Sequence, residues 1–253
     1  VTAKAIASVA VLAAIAVANL LYAPAPPGAV RVWITAAVVA QAFPPLAVWH
    51  NGTAIDPARR WIAFWAVSYL VSDFGQLFLA NVFRDNLLFV TLTQPAQDGL
   101  LLWALSYWQR GPVMRLTFRI AIPIHFLGTL GFAISSGELE AFKTFASTFR
   151  SLVVLSAAVY TIVSLSAEET DRIWMRDWLW SSLGVALYYG VYVIVEPVSG
   201  WFLAQGRGEA AITVFTVKAA FDILAFLLIW KGMRCPLKTD SLASGSGPHS
   251  LSS

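Results

Sequence analysis

With 58% apolar side chains against 12% charged over 253 residues, the chain departs far from a water-soluble domain, in which about a quarter of residues are charged. A formal charge of +3 without a dense Lys/Arg cluster excludes a nucleic-acid surface. A single cysteine, Cys235, excludes an intrachain disulfide and a cysteine metal centre.

In chain order, eight apolar runs stand out, at 4–23, 31–49, 61–82, 86–107, 114–135, 146–166, 177–200 and 210–230. A helix needs about 20 apolar residues to cross the hydrocarbon core, and in lipid a helix satisfies its own backbone. The expected fold is therefore all-α, a polytopic integral membrane protein with eight transmembrane helices. Lys4, the first run and Ala23-Pro24-Ala25 have the outline of a secretory signal, and cleavage there would leave seven. Residues 24–28, PAPPG, break the chain after the first run. His50-Asn51-Gly52-Thr53 opens the next loop, and 81–86 is a short polar join. Gln109-Arg110-Gly111-Pro112 is a turn, 166–176 a mixed-charge loop, and Gly206-Arg207-Gly208 precedes the last run. Residues 1–232 read as a helical transmembrane domain and 233–253 as a disordered polar tail.

Basic residues set the orientation. Ten of them, including Lys4, Arg59, Arg110, Arg172 and Lys231, fall at the end shared by both termini. Five, Arg31, Arg84, Lys143, Arg150 and Arg207, fall at the other. The bias puts both termini in the cytoplasm. Tryptophans near the ends of runs, among them Trp49, Trp108 and Trp201, fit an interfacial belt.

Ionisable residues inside the runs are the candidate chemistry, because a charge there is costly and usually paired. The catalytic candidates are Asp73, Asp98, His125, Lys218 and Asp222. Lys218 and Asp222 are four apart and share a helix face, so an ion pair is expected. Asp98 shares a face with Gln94 and Gln97 beside Pro95, which removes a backbone donor. Asp73 shares a face with Gln76, and the two acids Asp73 and Asp98 could meet across one site and share a proton. Tyr188, Tyr192 and Glu196 form a stripe at helical spacing. Gln76, Gln94, Gln97, Tyr188, Tyr192 and Glu196 are the candidate substrate contacts. Arg119 is expected to snorkel to an interface. Three histidines, with His50 in a loop and His249 in the tail, give no multi-histidine metal centre. No motif names a cofactor.

Lys218 in the last run resembles the retinal lysine of the microbial rhodopsins, and Arg84 and Asp98 would match that family's arginine and proton donor by order along the chain. The resemblance stops at isolated residues. RDNLLFVTLTQPAQD lacks the family's Asp-Trp block, with Leu87 and Leu88 in its place, and Val214 stands where the family has an aspartate.

The first functional expectation is a membrane-embedded enzyme acting on a lipid or isoprenoid-like substrate through intramembrane carboxylates, Asp98 and Asp222 foremost. Membrane lipids and an apolar small molecule are its expected partners. The alternatives are a proton-coupled transporter or channel, a retinal- or pigment-binding sensor, and a packing subunit of a larger membrane complex. A polar path open to both faces would favour transport. One that opens sideways to lipid would favour the enzyme.

Overall fold

A computed structural model describes residues 3–22, 28–51, 56–82, 87–135, 139–169 and 173–236. The described residues are helical apart from short turns and contain no strand. In order they form α1 (Ala3–Tyr22), α2 (Ala29–Gln41), α3 (Phe43–Asn51), α4 (Pro57–Val82) and α5 (Leu87–Trp108). There follow α6 (Pro112–Ser135), α7 (Leu139–Glu168), a 3-10 turn at Ile173–Met175, α8 (Asp177–Ala204) and α9 (Gly208–Arg234). Six stretches are long and apolar enough to cross a membrane: α1, α2 with α3, Pro112–Gly131, Ala146–Glu168, α8 and α9. Helices α4 and α5 are 26 and 22 residues long and carry the polar residues Asp73, Gln76, Gln94, Gln97 and Asp98 in their interiors.

Local sequence sets the helix ends. Pro57 and Pro112 open α4 and α6, where a missing N–H costs nothing and the fixed φ suits a first turn. Asp177 and Glu209 sit in the first turns of α8 and α9, and Lys231 and Arg234 in the last turn of α9, each complementing the helix dipole. After α8, Gly206 takes φ +71°. Its N–H donates to the Leu203 carbonyl and that of Arg207 to Phe202, both at 2.9 Å, which closes the helix as a Schellman motif.

Three boundaries differ from the sequence expectation. The second run is not one helix but two, interrupted at Ala42, because Pro44 and Pro45 cannot donate to the preceding turn. His50 and Asn51 end α3 rather than opening a loop, and α7 runs through Glu168 into the expected mixed-charge loop. Residues 237–253, most of the expected tail, lie outside the described residues, as do Gly52 and Thr53 of the expected loop. Asn51 itself donates to the Met233 carbonyl at 3.1 Å.

The closest helix crossing is α8 on α9. A Cβ built on Gly184 would lie 2.6 Å from the Ala225 carbonyl oxygen, and one on Gly232 would lie 2.9 Å from that of Asp177. Small residues let the two backbones approach, and packing contact rather than hydrophobic transfer holds helices together in lipid. The main core lies on the side of this crossing where α4 begins and α9 ends. Ile62, Trp65, Leu101, Leu102, Leu105, Val185, Phe226, Ile229 and Met233 there are essentially inaccessible. At that end Arg59, buried in the core, pairs with Asp177 at 2.9 Å and donates to the Met233 carbonyl at 3.3 Å.

Candidate functional site

Five helices converge on a cavity of about 260 Å³. Helix α2 contributes Ile34, Ala37, Val38 and Gln41, α4 contributes Tyr69, Asp73 and Gln76, and α5 contributes Gln94 and Gln97. Tyr188 and Tyr192 come from α8, and Phe215, Lys218, Ala219 and Asp222 from α9. The lining lies towards the end of the bundle where α4 finishes and α9 starts. Lys218 is about 15 Å from the first residue of α9 at 1.5 Å per residue. Towards the other end the apolar core closes the space.

The charged groups of this cavity are Asp73, Lys218 and Asp222. Lys218 Nζ donates to Asp222 Oδ2 at 2.5 Å, one helical turn on. The same ammonium lies 4.3 Å from the centroid of the Tyr192 ring and 4.9 Å from that of Tyr188. A desolvated cation over an aromatic face gains about 2 kcal/mol, so ring and carboxylate together hold a buried lysine. Asp73 Oδ2 accepts from Gln41 Nε2 at 2.8 Å. It lies within Coulomb range of both Lys218 and Asp222. Two acceptors find no donor among the described residues, Gln41 Oε1 and Asp222 Oδ1.

Asp98 goes elsewhere. It is fully buried and does not line the cavity. Tyr189 Oη donates to its Oδ1 at 2.7 Å, while Arg150 Nε and His125 Nε2 lie 2.9 and 3.1 Å from its Oδ2. Four helices, α5 to α8, thus meet on one carboxylate. Arg150 also donates to Gln94 Oε1 at 2.6 Å, and Tyr189 Oη lies 3.4 Å from Tyr69 Oη. Gln94 and Tyr69 line the cavity, so the closed cluster backs directly onto it. Asp73 and Asp98 do not face one another across a shared site. A buried aspartate with an arginine, a histidine and a tyrosine needs no proton from a second acid.

A second, larger space of about 650 Å³ lies between α6 and α7. Its walls are almost wholly apolar, with Ile120, Ile124, Phe149 and Val153 prominent, and His125 is part of its lining. His125 is itself buried, with Nε2 turned to Asp98 and Nδ1 without a partner among the described residues.

Of the eleven candidates read from sequence, Asp73, Gln76, Gln94, Gln97, Tyr188, Tyr192, Lys218 and Asp222 line the polar cavity. Asp98 and His125 form the cluster behind it. Glu196, a turn beyond Tyr192, is partly buried and is not part of the lining. Gln41, Tyr69, Tyr189 and Arg150 are not among the site candidates read from sequence. Arg150, counted with the basic residues at the non-cytoplasmic end, lies 11 residues into α7 and is buried. Pro44-Pro45 was the legible sign of the helix break that places Gln41. Arg119 extends towards the end of α5, 4.4 Å from the Trp103 ring centroid and 3.3 Å from Ser106 Oγ.

No protein-family model, no curated protein and no solved structure matches the chain.

Proposed function

We propose that the chain crosses the membrane eight times, with both termini in the cytoplasm, and carries a small hydrophilic solute through the polar cavity. The observation that carries this is the convergence of Asp73, Lys218, Asp222 and four glutamines, from α2, α4, α5 and α9, on one enclosed space. A few convergent polar groups in a concave site are the usual mark of a ligand site. Intramembrane charges facing a cavity mark solute and ion pathways. The step from α2 to α3 at Ala42, next to Gln41, is a small departure in a backbone that stays helical, and carriers often build their sites beside helix interruptions. In this reading the cavity, which lies nearer the end where α4 finishes and α9 starts, faces the non-cytoplasmic side, and the Trp65–Phe226 core serves as the gate on the cytoplasmic side. Removing Arg150 from the loop charges leaves four basic residues outside, which strengthens the orientation.

Two carboxylates against one ammonium leave a single negative charge, so the favoured solute carries an amine or another hydrogen-bond donor. The test is uptake by proteoliposomes of a labelled panel of choline, putrescine, neutral and basic amino acids. Saturable uptake of at least one, abolished by Asp73→Asn and by Asp222→Asn, is the expected result. No uptake above empty vesicles for any of them contradicts carrier function for this class of solute.

The apolar space between α6 and α7 favours a second reading, an enzyme acting on a lipid-like substrate that enters sideways. There the His125–Asp98 pair would supply acid–base chemistry, with Asp98 as the group that orients the ring.

A further inference from the structure

Two acceptors of the polar cavity are left without a donor among the described residues, one at the end of α2 and one on α9. Gln41 is 7% exposed and lines the cavity. Its NH₂ donates to Asp73 Oδ2, which assigns the amide orientation and leaves Oε1 as the atom still to be partnered. Among the described residues Oε1 is buried without a donor, and so is Asp222 Oδ1. A buried acceptor left unsatisfied costs about 1–3 kcal/mol. Two in one cavity therefore point to a species that satisfies both.

The main-chain carbonyl of Gln41 also lacks its helical donor. In an unbroken helix the Gln41 carbonyl would accept from residue 45, or from 44 in a tighter turn. Both are proline and have no N–H. The next amide, Leu46, donates instead to Ala42 at 3.1 Å. The Ala40 carbonyl, by contrast, accepts from Ala42. The Gln41 carbonyl also ends α2, where the helix dipole concentrates negative partial charge.

We infer that Gln41, Asp73 and Asp222 form a binding site for one monovalent metal cation at the α2–α3 break. Amide, carbonyl and carboxylate oxygens are the donor set a hard cation takes. The one negative charge left by two carboxylates and Lys218 matches a single positive charge. The inference deepens the carrier reading by naming a coupling ion, but binding itself does not require transport.

The purified full-length chain in detergent tests it by its unfolding temperature. Chloride salts of sodium, potassium and N-methyl-D-glucamine are compared at equal ionic strength. A saturable rise with sodium or potassium, absent with N-methyl-D-glucamine, is expected. Asp73→Asn should weaken the half-saturating concentration at least tenfold while leaving a cooperative unfolding transition. Lys218→Met should shift it the opposite way, towards tighter binding, because a competing charge is lost; structural damage alone would not do that. Equal behaviour in all three salts, or an unchanged midpoint in Asp73→Asn, overturns the inference. Solute uptake that ignores both metal ions overturns it as well, yet leaves the carrier reading standing. A metal-specific rise without any solute uptake does the reverse.

Discussion

Two charged clusters lie back to back in this bundle, and they differ in how their oxygens are satisfied. Around Asp98, Tyr189 donates to one carboxylate oxygen, and Arg150 and His125 lie within 3.1 Å of the other. Around Asp73 and Asp222, a cavity remains, and Gln41 Oε1 and Asp222 Oδ1 are left without donors. The first arrangement ties α5, α6, α7 and α8 to one another. The second spends polar groups that contribute little to cohesion, and such groups are expected where a ligand supplies the missing partners. Burial alone does not separate the two, since both sets of residues are largely hidden from solvent.

The sharpest way to break the comparison is to remove one half of the closed pair. Arg150→Met leaves Asp98 buried without its cation, and such a loss costs about 3–5 kcal/mol. A large fall in unfolding temperature is expected, and a small one would deny Asp98 its cohesive role. Next in size is Gly232→Val. Its new side chain would meet the Asp177 carbonyl and Ser181 backbone, and overpacking of this kind costs about 1–3 kcal/mol. That variant measures the α8–α9 crossing, which holds Lys218 against the tyrosines.

On the cavity side the expected effects on stability are smaller. Asp73→Asn keeps an oxygen for Gln41, so the change should stay below about 1 kcal/mol, the size of one net hydrogen bond. Uptake should nevertheless be lost. If Asp73→Asn unfolds the protein as readily as Arg150→Met, the contrast between the clusters disappears.

The smallest effect concerns Asp56, just ahead of α4 and outside the spans. Burial, and then the neighbouring Asp177, push its carboxyl above the usual carboxylate range, against the pull of Arg59. A raised folded pKa means that the folded chain binds the proton more tightly than the unfolded one. Stability from this group is therefore fully present below the unfolded pKa and is lost as pH rises through the folded value. Asp56→Asn should flatten the fall in unfolding temperature above the ordinary carboxylate range, and an unaltered pH profile would show that Asp56 does not contribute.

Much of this architecture was legible because long apolar runs follow a coarse rule. Runs of about 20 apolar residues become helices whatever their neighbours do, and each of the eight runs coincides with helical structure. The in-run charges and amides were equally visible against that background. Hydropathy does not register a missing N–H, so the break at Ala42 passed unseen although Pro44-Pro45 was in plain view. Arg150 reads as a residue near a helix end because its apolar run starts at 146, whereas α7 starts at Leu139 and carries it into the interior. The separation of Asp98 from Asp73 was beyond reach for a different reason. Which residues meet between helices depends on the rotation of each helix about its axis. That rotation follows from packing such as the Gly184–Ala225 approach, not from the pattern of any one run.

The single native cysteine gives the most direct test of the cavity as a carrier site. In a Cys235→Ser background, Gln76→Cys places one thiol on its lining. The probe is a membrane-impermeant, positively charged methanethiosulfonate, applied to sealed vesicles from one side and then from the other. A carrier exposes its site to each face in turn, so reaction from both sides is expected, slowed in each case by a transported solute. Reaction from the non-cytoplasmic side alone would leave a binding site without transport, and no reaction from either side would contradict a water-accessible cavity altogether.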